Sequence, residues 1–124
     1  MGTLTVTSTN SGAANTAQIA VDGGGNIYIW SGVVALTDAD SEYDLAPIFN
    51  AIGLPSVGPQ AFACLDMGGA TLSDAGAPPV SATMVCDMVN NRLTFRDATD
   101  GQVNNWTLGA APLAGLELAV IVAY

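Results

Sequence analysis

The sequence predicts an all-β domain, a sandwich or jelly roll of about seven to nine short strands, with one short helix near residues 41–52 and a meander at 84–108. Three observations predict it. Apolar residues alternate with polar ones in several runs of strand length. Turn dipeptides, Asn90-Asn91 and Asp100-Gly101, punctuate the clearest of these runs. Half of the 124 residues are hydrophobic, so one domain spanning 1–124 can bury a core without disulfide staples.

Taken in order, residues 3–9 alternate around Leu4 and Val6 with threonine on the other face. Residues 18–22 and 26–36 flank Gly23-Gly24-Gly25, which reads as a turn and lacks the Lys, Ser or Thr of a phosphate loop. Within the second run, Ile27, Tyr28, Ile29 and Trp30 are consecutive, as in a strand covered on both faces. Leu45, Ile48, Phe49 and Ile52 recur at helical spacing, and Ser41 with Asp44 makes a capping box. Pro47 falls inside this window, so the helix begins near Pro47 or is irregular in its first turn, and Gly53 stops it. Loops follow at 54–60 and 68–79, the second rich in Gly, Pro and Ala, with a strand at 61–67 between them.

The two turn dipeptides set a register for the meander. Met88 stands opposite Leu93 and Cys86 opposite Phe95; then Phe95 faces Trp106 and Leu93 faces Leu108. One face thereby collects Met84, Cys86, Met88, Leu93, Phe95, Trp106 and Leu108. Arg92, Thr94, Arg96 and Asp87 share the other face. The last strand, 116–124, carries Leu116, Leu118, Val120 and Val122 on one side and Ala119, Ile121 and Ala123 on the other. A strand apolar on both sides needs cover on both, and a neighbouring subunit is a plausible source.

Charge excludes whole classes of function. The chain has no Lys, no His and two Arg against eleven carboxylates, for a net charge of −9. A nucleic-acid partner requires phosphate-neutralising cations, and an anionic membrane surface repels the chain for the same reason. Ser and Cys nucleophiles lack a base, and Asp66, Asp87 and Asp97 fall on separate strands with nothing to fix their separation as an acid/base pair. The expectation is a protein that is not an enzyme and has no cofactor. The N-terminal stretch shows neither a basic nor an apolar signal region, implying synthesis and initial retention in the cytoplasm.

Four groups remain as candidates. Asp38, Asp40, Glu42 and Asp44 alternate as calcium ligands do, but Tyr43 stands where such a loop needs Gly and Phe49 where it needs Glu. The competing reading is an acidic helix N-terminus. Arg92 and Arg96, the only cations, form either a surface ion pair or a docking point for an acidic neighbour. Tyr28, Trp30 and Tyr43 are either core or a carbohydrate platform. Cys64 and Cys86 lack metal-ligand spacing and read as two buried thiols, with a bridge as the alternative.

In general character over its whole length the chain is short, acidic, rich in Ala, Gly and Thr, β-structured and unexported. It thereby resembles the head decoration or cement proteins of tailed bacteriophages. The resemblance implies a virion structural protein, homo-oligomeric with a trimer favoured, that contacts other capsid proteins and stabilises the shell by burying surface. Interface candidates are then Arg92, Arg96, Leu116, Leu118, Val120, Val122 and Tyr124, with segments 1–12 and 68–79. The alternative is a β-sandwich module that binds glycan or calcium.

Overall fold

Alternation along eight strands produces two antiparallel sheets stacked face to face. The computed structural model describes residues 1–9, 16–21, 25–55, 59, 61–75, 82–99 and 106–123. The elements are β1 (Thr3–Thr9), β2 (Thr16–Val21), β3 (Gly25–Thr37), β4 (Glu42–Asp44), α1 (Ala46–Ile52), β5 (Ala61–Gly68), β6 (Ala82–Asp87), β7 (Arg92–Asp97) and β8 (Leu113–Ala123). The larger sheet runs β1-β3-β8-β5, and β2 pairs with the first half of the long β3; the smaller sheet runs β4-β7-β6. This is the sandwich-like all-β fold with one short helix that the sequence predicts.

The core lies between the sheets. From the larger sheet come Leu4, Trp30, Val34, Leu36, Leu116, Leu118, Val120 and Val122; from the smaller come Tyr43, Leu93 and Phe95. Trp106 joins them against Phe95, with ring centroids 5.1 Å apart, and Tyr43 meets Phe95 edge-on. Trp30 lies over its neighbour two residues on: a Cβ at Gly32 would come within 2.5 Å of the indole and of the Ser8 carbonyl oxygen. Only glycine leaves room for that ring.

The helix is shorter than the periodicity alone indicates. Pro47 sits in its first turn and Gly53 ends it at φ 86°, donating its N–H to Phe49 and Asn50. The capping box does not form, because Glu42–Asp44 are extended as β4; Asp44 instead accepts from the Ala46 N–H at 2.9 Å. Ile48 and Phe49 are buried, and Phe49 meets Phe62 of β5 edge-on.

The β6–β7 hairpin corrects the expected register by two residues. Cys86 pairs with Leu93 and Met84 with Phe95, across a four-residue loop, 88–91. Asp87 causes the shift: its carboxylate accepts from the N–H groups of Val89 and Asn90 and from the Asn90 side-chain amide, and Asn91 takes the left-handed conformation at φ 54°. A two-residue slip preserves the faces, so Leu93 and Phe95 stay inside. Met88, however, moves into the turn and is exposed. The other neighbour of β7 is β4 rather than residues 106–108. Trp106 and Leu108 are nevertheless buried, with Leu108 bridged to Asp74. Asp100, Gly101 and Asn105 lie outside the described residues, as do Asp22, Gly23 and Gly24.

Backbone bonds close one seam of the sandwich. Gly2 of the β1 end donates to the Glu42 carbonyl at 2.9 Å and bridges Tyr43 of β4. Register shifts interrupt the larger sheet between Val6 and Ser8, Val34 and Leu36, and Asp66 and Gly68. All three fall towards the same end, leaving the half around Ile27, Ala123 and Ala61 in regular pairing.

Candidate functional site

Strand geometry divides every residue of the larger sheet between two faces. On β8, the inward set is Leu116, Leu118, Val120 and Val122, each no more than 1 % exposed. These four interface candidates are therefore corrected: the chain's own smaller sheet covers them, and they are core. Tyr124 lies outside the described residues.

The other face carries the unclaimed apolar surface. Register rows read Ile27–Ala123–Ala61, Ile29–Ile121–Ala63 and Ser31–Ala119–Leu65 across β3, β8 and β5. Val33 pairs with Glu117 in the next row. Ile27, Ile29, Val33, Ala119 and Ile121 are half-buried by their neighbours, whereas Ala61, Ala63 and Leu65 are exposed. Ile27, Ala61, Phe62, Ala63, Ile121 and Ala123 line a shallow concavity of about 300 Å³. Glu117 is the one charged residue at an outward position of β3, β5 and β8 among the described residues. In a chain at −9, that is a segregated surface.

The carboxylates lie elsewhere and serve the chain's own donors. Asp40 accepts from the N–H groups of Ser41 and Glu42 and pairs with the Met1 ammonium at 3.0 Å. Burial pushes its carboxyl up, but the ammonium and the two amides together outweigh that and hold it below the ordinary value. Glu42 pairs with Arg92 at 3.1 Å, and Asp44 serves Ala46. The candidate calcium residues Asp38, Asp40, Glu42 and Asp44 are thus dispersed along a loop and strand, not gathered. No group of three or more metal-ligating side chains converges among the described residues. The acidic helix start is likewise replaced by β4.

Arg92 stands opposite both Asp87 and Asp44, so it sits in an acidic setting of its own chain. The Asn90 side chain, then its backbone and the Val89 amide, then Arg92, hold the Asp87 carboxyl below its ordinary range. Arg96 is exposed and has no ion-pair partner among the described residues. The aromatic platform does not form. Trp30 and Tyr43 have no exposed surface, and the Tyr43 hydroxyl donates inward to the Asp38 carbonyl at 2.7 Å. Burial pushes that hydroxyl's ionisation up.

Of the segments expected at an interface, 1–12 supplies β1 to the sheet, and the first part of 68–79 is pinned to the domain. Ala70 and Leu72 pack against the core, and Asp74 accepts from the Thr107 N–H at 3.0 Å. The outer face itself is visible in the sequence as the second apolar set of the final strand, Ala119, Ile121 and Ala123, and as Ile27 and Ile29 in the run that reads as covered on both faces. No helix among the described residues is long and apolar enough to cross a membrane. No family model, curated protein or solved structure matches the chain.

Proposed function

We propose that this is a non-enzymatic structural protein that works by burying surface, and that the outer face of its larger sheet is the working surface. The segregation of charge carries the reading. Nine acids stand at described positions, and only Glu117 is on that face. The setting with this character is a tailed-bacteriophage shell, where the chain would act as a decoration or cement subunit, homo-oligomeric and seated on other capsid proteins.

Magnitudes constrain the mode of contact. Four strand positions about 4.8 Å apart, each about seven residues long at about 3.3 Å per residue, give a face of roughly 440 Å². A stable pairwise interface needs about 800 Å² per partner. One face alone supports weak association, and exposed Met67 at its β5 rim extends it. Repetition on a lattice would convert weak contacts into durable ones, because each later contact forms at high effective concentration.

Light scattering on the purified protein, in calcium and in chelator, tests the reading alongside Ile121→Asp. The expected result is weak, concentration-dependent self-association, indifferent to calcium, that Ile121→Asp abolishes while its melting temperature stays within a few degrees. A monomer that tightens with calcium refutes it in favour of the ion-binding module.

A further inference from the structure

The sandwich has two seams, and they are closed differently. At the β1–β4 seam the Gly2 N–H donates across to the Glu42 carbonyl. The opposite seam brings together β5 and β6, the edge strands of the two sheets. There, Cys64 and Cys86 both point into the layer between sheets: Cys64 pairs in register with core Val120, and Cys86 with core Leu93. The two side chains interact across the seam, each shifting the other's ionisation. Both thiols are free and partly accessible.

We propose that Cys64 and Cys86 form an oxidative modification site, at which a small disulfide such as oxidised glutathione installs an intrachain bridge that staples the two sheets along their open seam. Cys86 reacts first. The Cys64 thiol donates to its sulfur, which holds the Cys86 thiol below its ordinary value, although burial opposes this and the Cys64 backbone adds to it. The same hydrogen bond, together with burial, pushes Cys64 up. The Cys86 thiolate attacks one sulfur of oxidised glutathione, whose S–S bond breaks and releases one glutathione thiolate. Cys64 then gives its proton to solvent and attacks the Cys86 sulfur of the mixed disulfide, expelling the second glutathione. Two protein thiols are oxidised, one glutathione disulfide is reduced to two thiols, and two protons pass to the leaving thiolates.

Because the thiols already face one layer from adjoining edge strands, the bond closes a loop on the order of twenty residues with little rearrangement. Constraining the unfolded chain to that extent corresponds to a rise of roughly 10 °C in melting temperature for a domain of this size.

The test exposes folded protein to oxidised glutathione, quenches in acid, and measures intact mass, a non-reducing peptide map and a thermal melt. The expected product carries no free thiol and no glutathione, links Cys64 to Cys86 within one chain, and melts roughly 10 °C higher than the reduced form. Cys64→Ser should stop at one glutathione on Cys86. Cys86→Ser should react at least about tenfold more slowly, because it lacks the activated thiolate. Two persistent free thiols, two glutathione adducts, a bridge between chains, or a bridged form that melts lower would each overturn the proposal.

Discussion

Replacing Leu118 with alanine asks which side of β8 faces the inside of the molecule. Leu118 is fully buried on the central part of that strand, flanked in register by Gly32 of β3 and Asp66 of β5. The substitution removes three carbons. At about 0.8 kcal/mol each, transfer alone accounts for about 2.4 kcal/mol. Gly32 offers no side chain to collapse into the void, so a cavity contribution brings the total to about 3–4 kcal/mol. For a domain of this size that is a fall of roughly 12–15 °C in melting temperature. Urea denaturation at two protein concentrations tenfold apart is the assay. If Leu118 is core, both concentrations report the same loss. A change below about 0.5 kcal/mol, or a loss that disappears at the higher concentration, would falsify the inside–outside assignment and return Leu118 to a subunit interface.

Two other substitutions test the packing and the charge placement. Gly32→Ala forces a methyl group against the Trp30 ring and the Ser8 carbonyl; it should cost about 1–3 kcal/mol and perturb the tryptophan fluorescence, and an unchanged melt would contradict the close approach. Asp40→Asn should cost about 1 kcal/mol at neutral pH. The folded-state value of Asp40 is lowered from 3.8, so its contribution is complete above that pH and fades as the pH falls through the folded value. Denaturation midpoints of parent and variant should therefore converge in acid; a gap that widens there would refute the assignment.

Much of the fold is legible in the sequence, and the exceptions have identifiable causes. Strands β1, β3, β5 and β8 are long enough for period-two patterning to place them. β4 is not: three residues with Tyr43 as their single buried member carry no period, and the flanking acids resemble a helix start. The hairpin register slips because Asn90-Asn91 is a good turn dipeptide in isolation. Asp87, a residue whose carboxylate can cap the amides that follow it, was the available signal. The outer face was half legible. Two apolar sets on the final strand imply cover on both sides, but alternation does not say which set faces the chain's own second sheet. The contact between Cys64 and Cys86 was illegible, since nothing in either strand's pattern states which edges of two separate sheets adjoin.

The register shifts of the larger sheet have a consequence for the geometry of growth. Among the described residues β5 is an edge strand with exposed Leu65 and Met67, and an edge of that kind can add strands from other chains without limit. Its pairing is broken between Asp66 and Gly68, and Gly68 and Gly69 follow in conformations with positive φ. The regularly paired half of the sheet lies instead around Ile27, Ala123 and Ala61. Stacking through a face can close on itself as a finite cluster, whereas extension through an edge ends in a fibre. The irregularity at the end of β5 obstructs the path to fibres and leaves the path to closed assemblies open.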